Sequence, residues 1–206
     1  MYRDLIIMTK SDKHGGFCVV GIDINDGSFI RLMSDNKETF GALTPENMLY
    51  EDNSETKILD VARVEILKHC PTQLQPENVL IDETIRWQKL GTVSQEETYQ
   101  YLNNDASNIF LNVDNYLSKK EVIQNASSIL FVQITKAQIY SNFKNKTKMS
   151  FTFKGSKYTD MSVTDPDYYG KDKTYPKLNV VFSLPDDKWS SVNDKYYKFA
   201  AKIFEV

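Results

Sequence analysis

Short apolar runs separated by tight polar turns recur near both ends of this chain, and that pattern restricts each end to small antiparallel β structure. Near the start, residues 17–24 and 28–33 flank Asn25-Asp26-Gly27. Asp-Gly between two apolar runs marks a hairpin, because its tight turn requires positive φ where Gly and Asp accept it. Near the end, Met149-Ser150-Phe151-Thr152-Phe153 alternates with the period of a half-buried strand. Gly155-Ser156 then turns the chain into residues 158–164, and residues 177–184 and 196–206 follow as further strands. Residues 5–8, 57–69 and 129–140 complete the set of predicted strands. The aromatic content, 12 Tyr, 11 Phe and 2 Trp, favours the same reading.

The middle reads differently. Ser94-Gln95-Glu96-Glu97 has the spacing of a capping box, which predicts a helix running to about residue 102. A second short helix is expected over 113–123. Five or so antiparallel strands in about 80 residues match a small Greek-key barrel of the OB type. The expected organisation is therefore mainly β with minor α: an OB-like barrel over 1–83, a partly helical connector over 84–126, and a second OB-like barrel over 127–206. A Pro-Glu-Asn-x-Leu pentapeptide occurs after Thr44 and again after Gln75, and either a duplication or two similar turns accounts for it.

The charge is uneven. Residues 1–132 carry 12 Lys+Arg against 20 Asp+Glu, and residues 133–202 carry 13 Lys against 7 Asp. The acidic half fits a protein partner and the basic half a phosphate backbone, although the halves would also attract each other. The apolar runs fall far short of the roughly 20 residues that a membrane span needs, so no membrane role is expected. Two cysteines without a secretion signal point to a reduced, cytoplasmic setting.

The basic tract is interleaved with rings. Lys136, Tyr140, Phe143, Lys144, Lys146, Lys148 and Lys157 offer ammonium groups for phosphates and ring faces for bases, the two things a single-strand binder requires. The period of two places Phe151 and Phe153 on one face, in the core, and leaves Tyr140 and Phe143 beside the turn as the stacking candidates. Arg31 ends the first hairpin, where a guanidinium grips a phosphate or pairs structurally with Asp23 or Asp35. Thr164-Asp165-Pro166-Asp167, with Asp160 nearby, fits a strand-ending turn better than acid–base chemistry. His14 and the His69-Cys70 pair give no zinc-like spacing, and no phosphate-cradling or nucleophile motif occurs, so neither a metal nor a cofactor is expected.

Val19-Val20-Gly21-Ile22-Asp23, Gly27-Ser28-Phe29-Ile30-Arg31-Leu32, Val163-Thr164-Asp165-Pro166, Ser183-Leu184 and Tyr196-Tyr197-Lys198-Phe199-Ala200-Ala201, in this order, resemble the bacterial dual OB domain-containing proteins. The resemblance covers nearly the whole chain. It departs at Leu32, where the family pattern has proline after the arginine, and in the middle connector. It implies two OB-like barrels and the binding of nucleic acid or nucleotides, in systems of conflict between bacteria and phages. The leading expectation is a non-catalytic module for single-stranded nucleic acid or a nucleotide. The alternatives are a regulatory subunit that docks a partner protein through its acidic half, and a nucleotide hydrolase using Asp165.

Overall fold

The structure, a computed structural model, describes residues 1–13, 15–186 and 194–206. The chain divides into two compact units, Met1–Thr72 with Glu77–Tyr101 and Gln73–Pro76 with Leu102–Val206. Both are mainly β. No helix among the described residues is long and apolar enough to cross a membrane.

The first unit contains β1 (Tyr2–Lys13), β2 (Gly16–Asp23), β3 (Phe29–Met33), β4 (Asp60–His69), β5 (Asn78–Ile81) and β6 (Gln88–Thr92). β1 pairs with β2 and β2 with β3, both antiparallel; β3 pairs with β5 in parallel; β5 pairs with β4 and β4 with β1, again antiparallel. Five strands thus close on themselves, and β6 adds to β4. The sequence pattern dictates the closure. In β4, Asp60, Ala62, Val64 and Ile66 point inward while Val61, Arg63 and Glu65 are partly exposed, an alternation with the pleat's period of two. Leu5, Ile7, Val19, Leu32, Val64 and Trp87 fill the interior. The expected Asp-Gly hairpin is present: Gly27 sits at φ +73°, and its N–H donates to the Asp23 carbonyl at 2.8 Å.

The second unit contains β7 (Tyr116–Ser118), α1 (Lys119–Gln124), β8 (Ile129–Ser141), β9 (Thr147–Phe153), β10 (Ser156–Val163), β11 (Lys173–Ser183), β12 (Lys195–Tyr197) and β13 (Phe199–Glu205). β8, β9, β10, β13 and β11 form a closed barrel in that order, with β10 and β13 parallel and the other neighbours antiparallel. Around each ring the strands follow in the same order: first, second, third, fifth, fourth, and back to the first. This is the five-stranded Greek-key arrangement of an OB barrel, built twice. Phe151 and Phe153 both point into the second barrel, as their spacing required, and Phe151 lies against Tyr158 with ring centroids 5.0 Å apart and planes nearly parallel.

The middle of the chain departs from the expected helical connector. Residues 84–126 are shared between the two units, with the division after Tyr101. Ser94 and Glu97 do exchange capping-box hydrogen bonds, but the turn that follows is a six-residue 3-10 helix, Glu96–Tyr101. Its Thr98, Tyr99 and Tyr101 are weak helix formers, and Asn103-Asn104-Asp105 follows at once. Within 113–123, residues 116–118 instead pair with β12, so α1 begins only at Lys119, behind a true Ser118–Glu121 capping box. The two similar pentapeptides adopt different structures. One forms the 3-10 turn Glu46–Met48, and the other leads into β5. The repetition lies in strand order and not in this motif.

Candidate functional site

The outer walls of the two barrels differ in chemistry. In the first, Leu5, Ile7 and Val19 face the core, yet Ile6, Met8, Val20 and Ile22 on the opposite face are buried as well. The central stretches of β1 and β2 are therefore buried on both faces. In the second, the outward positions of β9 and the flanking stretches of β8 and β10 are polar and at least partly exposed.

Register fixes how these positions meet. Tyr140 on β8 stands opposite Lys148 on β9, and Lys148 stands opposite Ser162 on β10. Lys148 Nζ donates to Ser162 Oγ at 2.9 Å. Its ammonium is held below its ordinary pKa by partial burial, against the opposing pull of the Asp160 carboxylate. Gln138 and Ser150 form the next pair, and Thr135, Thr152 and Lys157 a third row.

Two β-bulges interrupt the ladders. One lies in β8 between Thr135 and Gln138, where Lys136 takes φ +50°, and one in β10 between Tyr158 and Met161, where Asp160 takes φ +56°. Positive φ is uncommon for residues with a Cβ, and bulges re-aim side chains out of the regular alternation. Here the second bulge brings Asp160 across β9 to Tyr140. The Tyr140 hydroxyl donates to Asp160 Oδ1 at 2.6 Å and lies 3.3 Å from Ser150 Oγ. Burial, then the Asp160 carboxylate, pushes the phenol's pKa up. Asp160 is the single carboxylate among the outward residues of β8, β9 and β10.

The loop of residues 142–146 crowns this wall. Asn142 Oδ1 accepts the backbone N–H of both Lys144 and Lys146 at 3.0 Å, and Asn145 takes the left-handed conformation that asparagine tolerates. The loop is thereby shaped from within and presents Phe143 outward. Phe143 is 90% exposed, with Lys144 Nζ 5.5 Å from its ring centroid. It is the most exposed large hydrophobic side chain among the described residues.

Seven of the eight predicted residues, Lys136, Tyr140, Phe143, Lys144, Lys146, Lys148 and Lys157, thus fall on one wall and its loop. Arg31 does not. It lies in the first barrel, 1% exposed, with Nη1 2.7 Å from Cys18 Sγ. Asp23, one of its expected partners, accepts instead from Arg3 at 3.0 Å. Asp160 joins this wall only through the bulge, which a period-two pattern does not show.

The Thr164–Asp167 turn is structural. Asp165 is buried and accepts from the Ile203 N–H at 2.9 Å, from the Asp167 N–H at 3.2 Å and from Lys202 Nζ at 3.2 Å. Burial pushes its carboxyl's pKa up. These contacts tie β13 to the turn after β10. Lys198, part of the Tyr196–Ala201 run, has a role that the sequence pattern does not show. Fully buried, its Nζ donates to the Ile109 and Asn112 carbonyls and to Asn112 Oδ1 at 2.7–2.8 Å. It pins residues 109–112 onto the second barrel. No cluster of three or more His, Cys, Asp or Glu among the described residues is placed to hold a metal, and His14 lies outside the described residues.

A search of curated proteins found no match, and a search of solved structures found none. A family model of the dual OB-containing domain does match, and it spans both barrels. The chain, matched over residues 3–203, belongs to the dual OB-containing domain family.

Proposed function

We propose that the second barrel binds single-stranded nucleic acid along the outer wall of β8, β9 and β10 and the loop of residues 142–146. The observation that carries this reading is the exposed Phe143 among Lys144, Lys146 and Lys148, on the elements that OB barrels use for ligands. In this fold the outer face of the second and third strands, with the loop between the first and second, takes oligonucleotides and oligosaccharides. Ammonium groups follow phosphates, and an open ring stacks on a base of any sequence. The lysines run from the loop to Lys157, opposite Thr152. From Thr147 to Thr152 the strand extends about 17 Å at 3.3 Å per residue. That length suits several nucleotides better than one, so an oligomer is the expected ligand and a mononucleotide a poor one.

The test is fluorescence anisotropy with labelled DNA and RNA oligomers at low salt. Wild-type protein is expected to bind, with affinity falling as salt rises. For single strands the slope of log K against log salt is about −0.7 per phosphate contact. Replacing Lys144, Lys146 and Lys157 together by Glu is expected to abolish binding without lowering the melting temperature, because all three are exposed. No binding of either nucleic acid by the wild type would refute the reading.

A further inference from the structure

A wall built only to hold phosphates gains nothing from a carboxylate at its centre, yet Asp160 stands there. It holds a positive φ that a glycine would take without strain, and its Oδ1 is fixed by the Tyr140 hydroxyl. Oδ2 accepts no hydrogen bond among the described residues, and the residue is exposed. One oxygen is thus anchored and the other is presented to solvent beside Lys148, Ser150 and Ser162.

On the reading that this wall binds a single strand, we infer that Asp160 is a specificity-determining residue that selects guanine. A carboxylate accepts hydrogen bonds and donates none. Guanine's Watson–Crick edge offers two adjacent donors, N1–H and the N2 amine, and matches both carboxylate oxygens. Oδ1 retains a lone pair for this after accepting from Tyr140. Adenine and cytosine each offer one amine beside an unprotonated ring nitrogen, which the carboxylate repels. Thymine and uracil offer one N–H between two carbonyl acceptors. Phosphates are repelled as well, so the strand is held with its backbone on the lysines and a base edge toward Asp160.

The test compares four labelled oligothymidylates of equal length that carry a single central G, A, C or T, with wild type and Asp160→Asn. Asparagine is among the residues that best tolerate positive φ, and its carbonyl still accepts from Tyr140. The wild type is expected to prefer the G oligomer by about 5- to 150-fold, the range for one good bidentate contact. Asp160→Asn is expected to lose the preference while binding the other three at least as tightly, since a negative charge is gone. Inosine in place of the central guanine removes the N2 amine. It is expected to weaken binding to the wild type and leave the variant unaffected, a comparison that needs no change in the protein's fold. Equal affinity of the wild type for all four oligomers, or a guanine preference that survives in Asp160→Asn, overturns this inference and leaves the binding site standing. Absence of binding to every oligomer overturns both.

Discussion

Replacing Phe143 and Phe151 by alanine, one at a time, separates a ring offered to a ligand from a ring that holds the barrel together. Phe151 is 1% exposed, lies 5.0 Å from Tyr158 in a parallel stack and 5.4 Å from Phe182. Truncating a buried Phe costs about 3–5 kcal/mol. Losing two ring contacts, each about 0.5–1.5 kcal/mol, places Phe151→Ala at the upper end. Phe143 is 90% exposed. Full burial of a Phe side chain is worth about 1.5–3 kcal/mol, so its buried tenth contributes under about 0.3 kcal/mol. The exposed contact with Lys144 adds about 0.5–1 kcal/mol at most. Phe143→Ala should therefore cost around 1 kcal/mol of stability or less, yet weaken oligonucleotide binding by about 1–3 kcal/mol, the value of one stacked base. Urea unfolding followed by circular dichroism gives the first quantity and anisotropy titration the second. Unchanged affinity of Phe143→Ala, or a stability loss on the scale of Phe151→Ala, would refute the assignment of this ring to a ligand.

Two further predictions concern the buried lysines. Burial pushes Lys198 down to about 7, against the pull of Asp114 and Glu121, from an ordinary value of 10.5. The unfolded chain therefore binds more protons than the folded one between pH 7 and 10.5, and stability should rise with pH across that window. Urea midpoints of the wild type should climb from pH 7 to 9.5 relative to those of Lys198→Met, and a constant difference would refute the shift. Lys202→Met should leave Asp165 as an uncompensated buried carboxylate and cost about 3–5 kcal/mol. Asp165→Asn in the same background should restore part of that loss in a double-mutant cycle, and additive losses would show that the pair is not coupled.

Features set by local chemistry were legible in the sequence. Asp26-Gly27 carries its own turn, and the alternation through Met149–Phe153 placed both phenylalanines inward because a strand's faces follow from parity alone. Features set by distant partners were not. Tyr116–Ser118 became a strand only because Lys195–Tyr197 pairs with it, some 80 residues away. The capping box at Ser94 formed, but the residues behind it could not continue an α-helix. Arg31 fits either a phosphate grip or a structural role by its sequence position, and its burial beside Cys18 agrees with the structural one. At the candidate site the lysines and rings were visible as composition. The wall that gathers them depends on hairpin register, and Asp160 joins it only through a bulge.

Photo-crosslinking of the full chain reads directly where a single strand lies. The probe is a thymidine oligomer with 4-thiothymidine at each position in turn, and crosslinked peptides are identified by mass spectrometry. Crosslinks are expected in residues 136–162, centred on Phe143 and Tyr140. Crosslinks confined to Met1–Thr72 and Glu77–Tyr101 would contradict the central claim, because the binding surface would then belong to the first barrel.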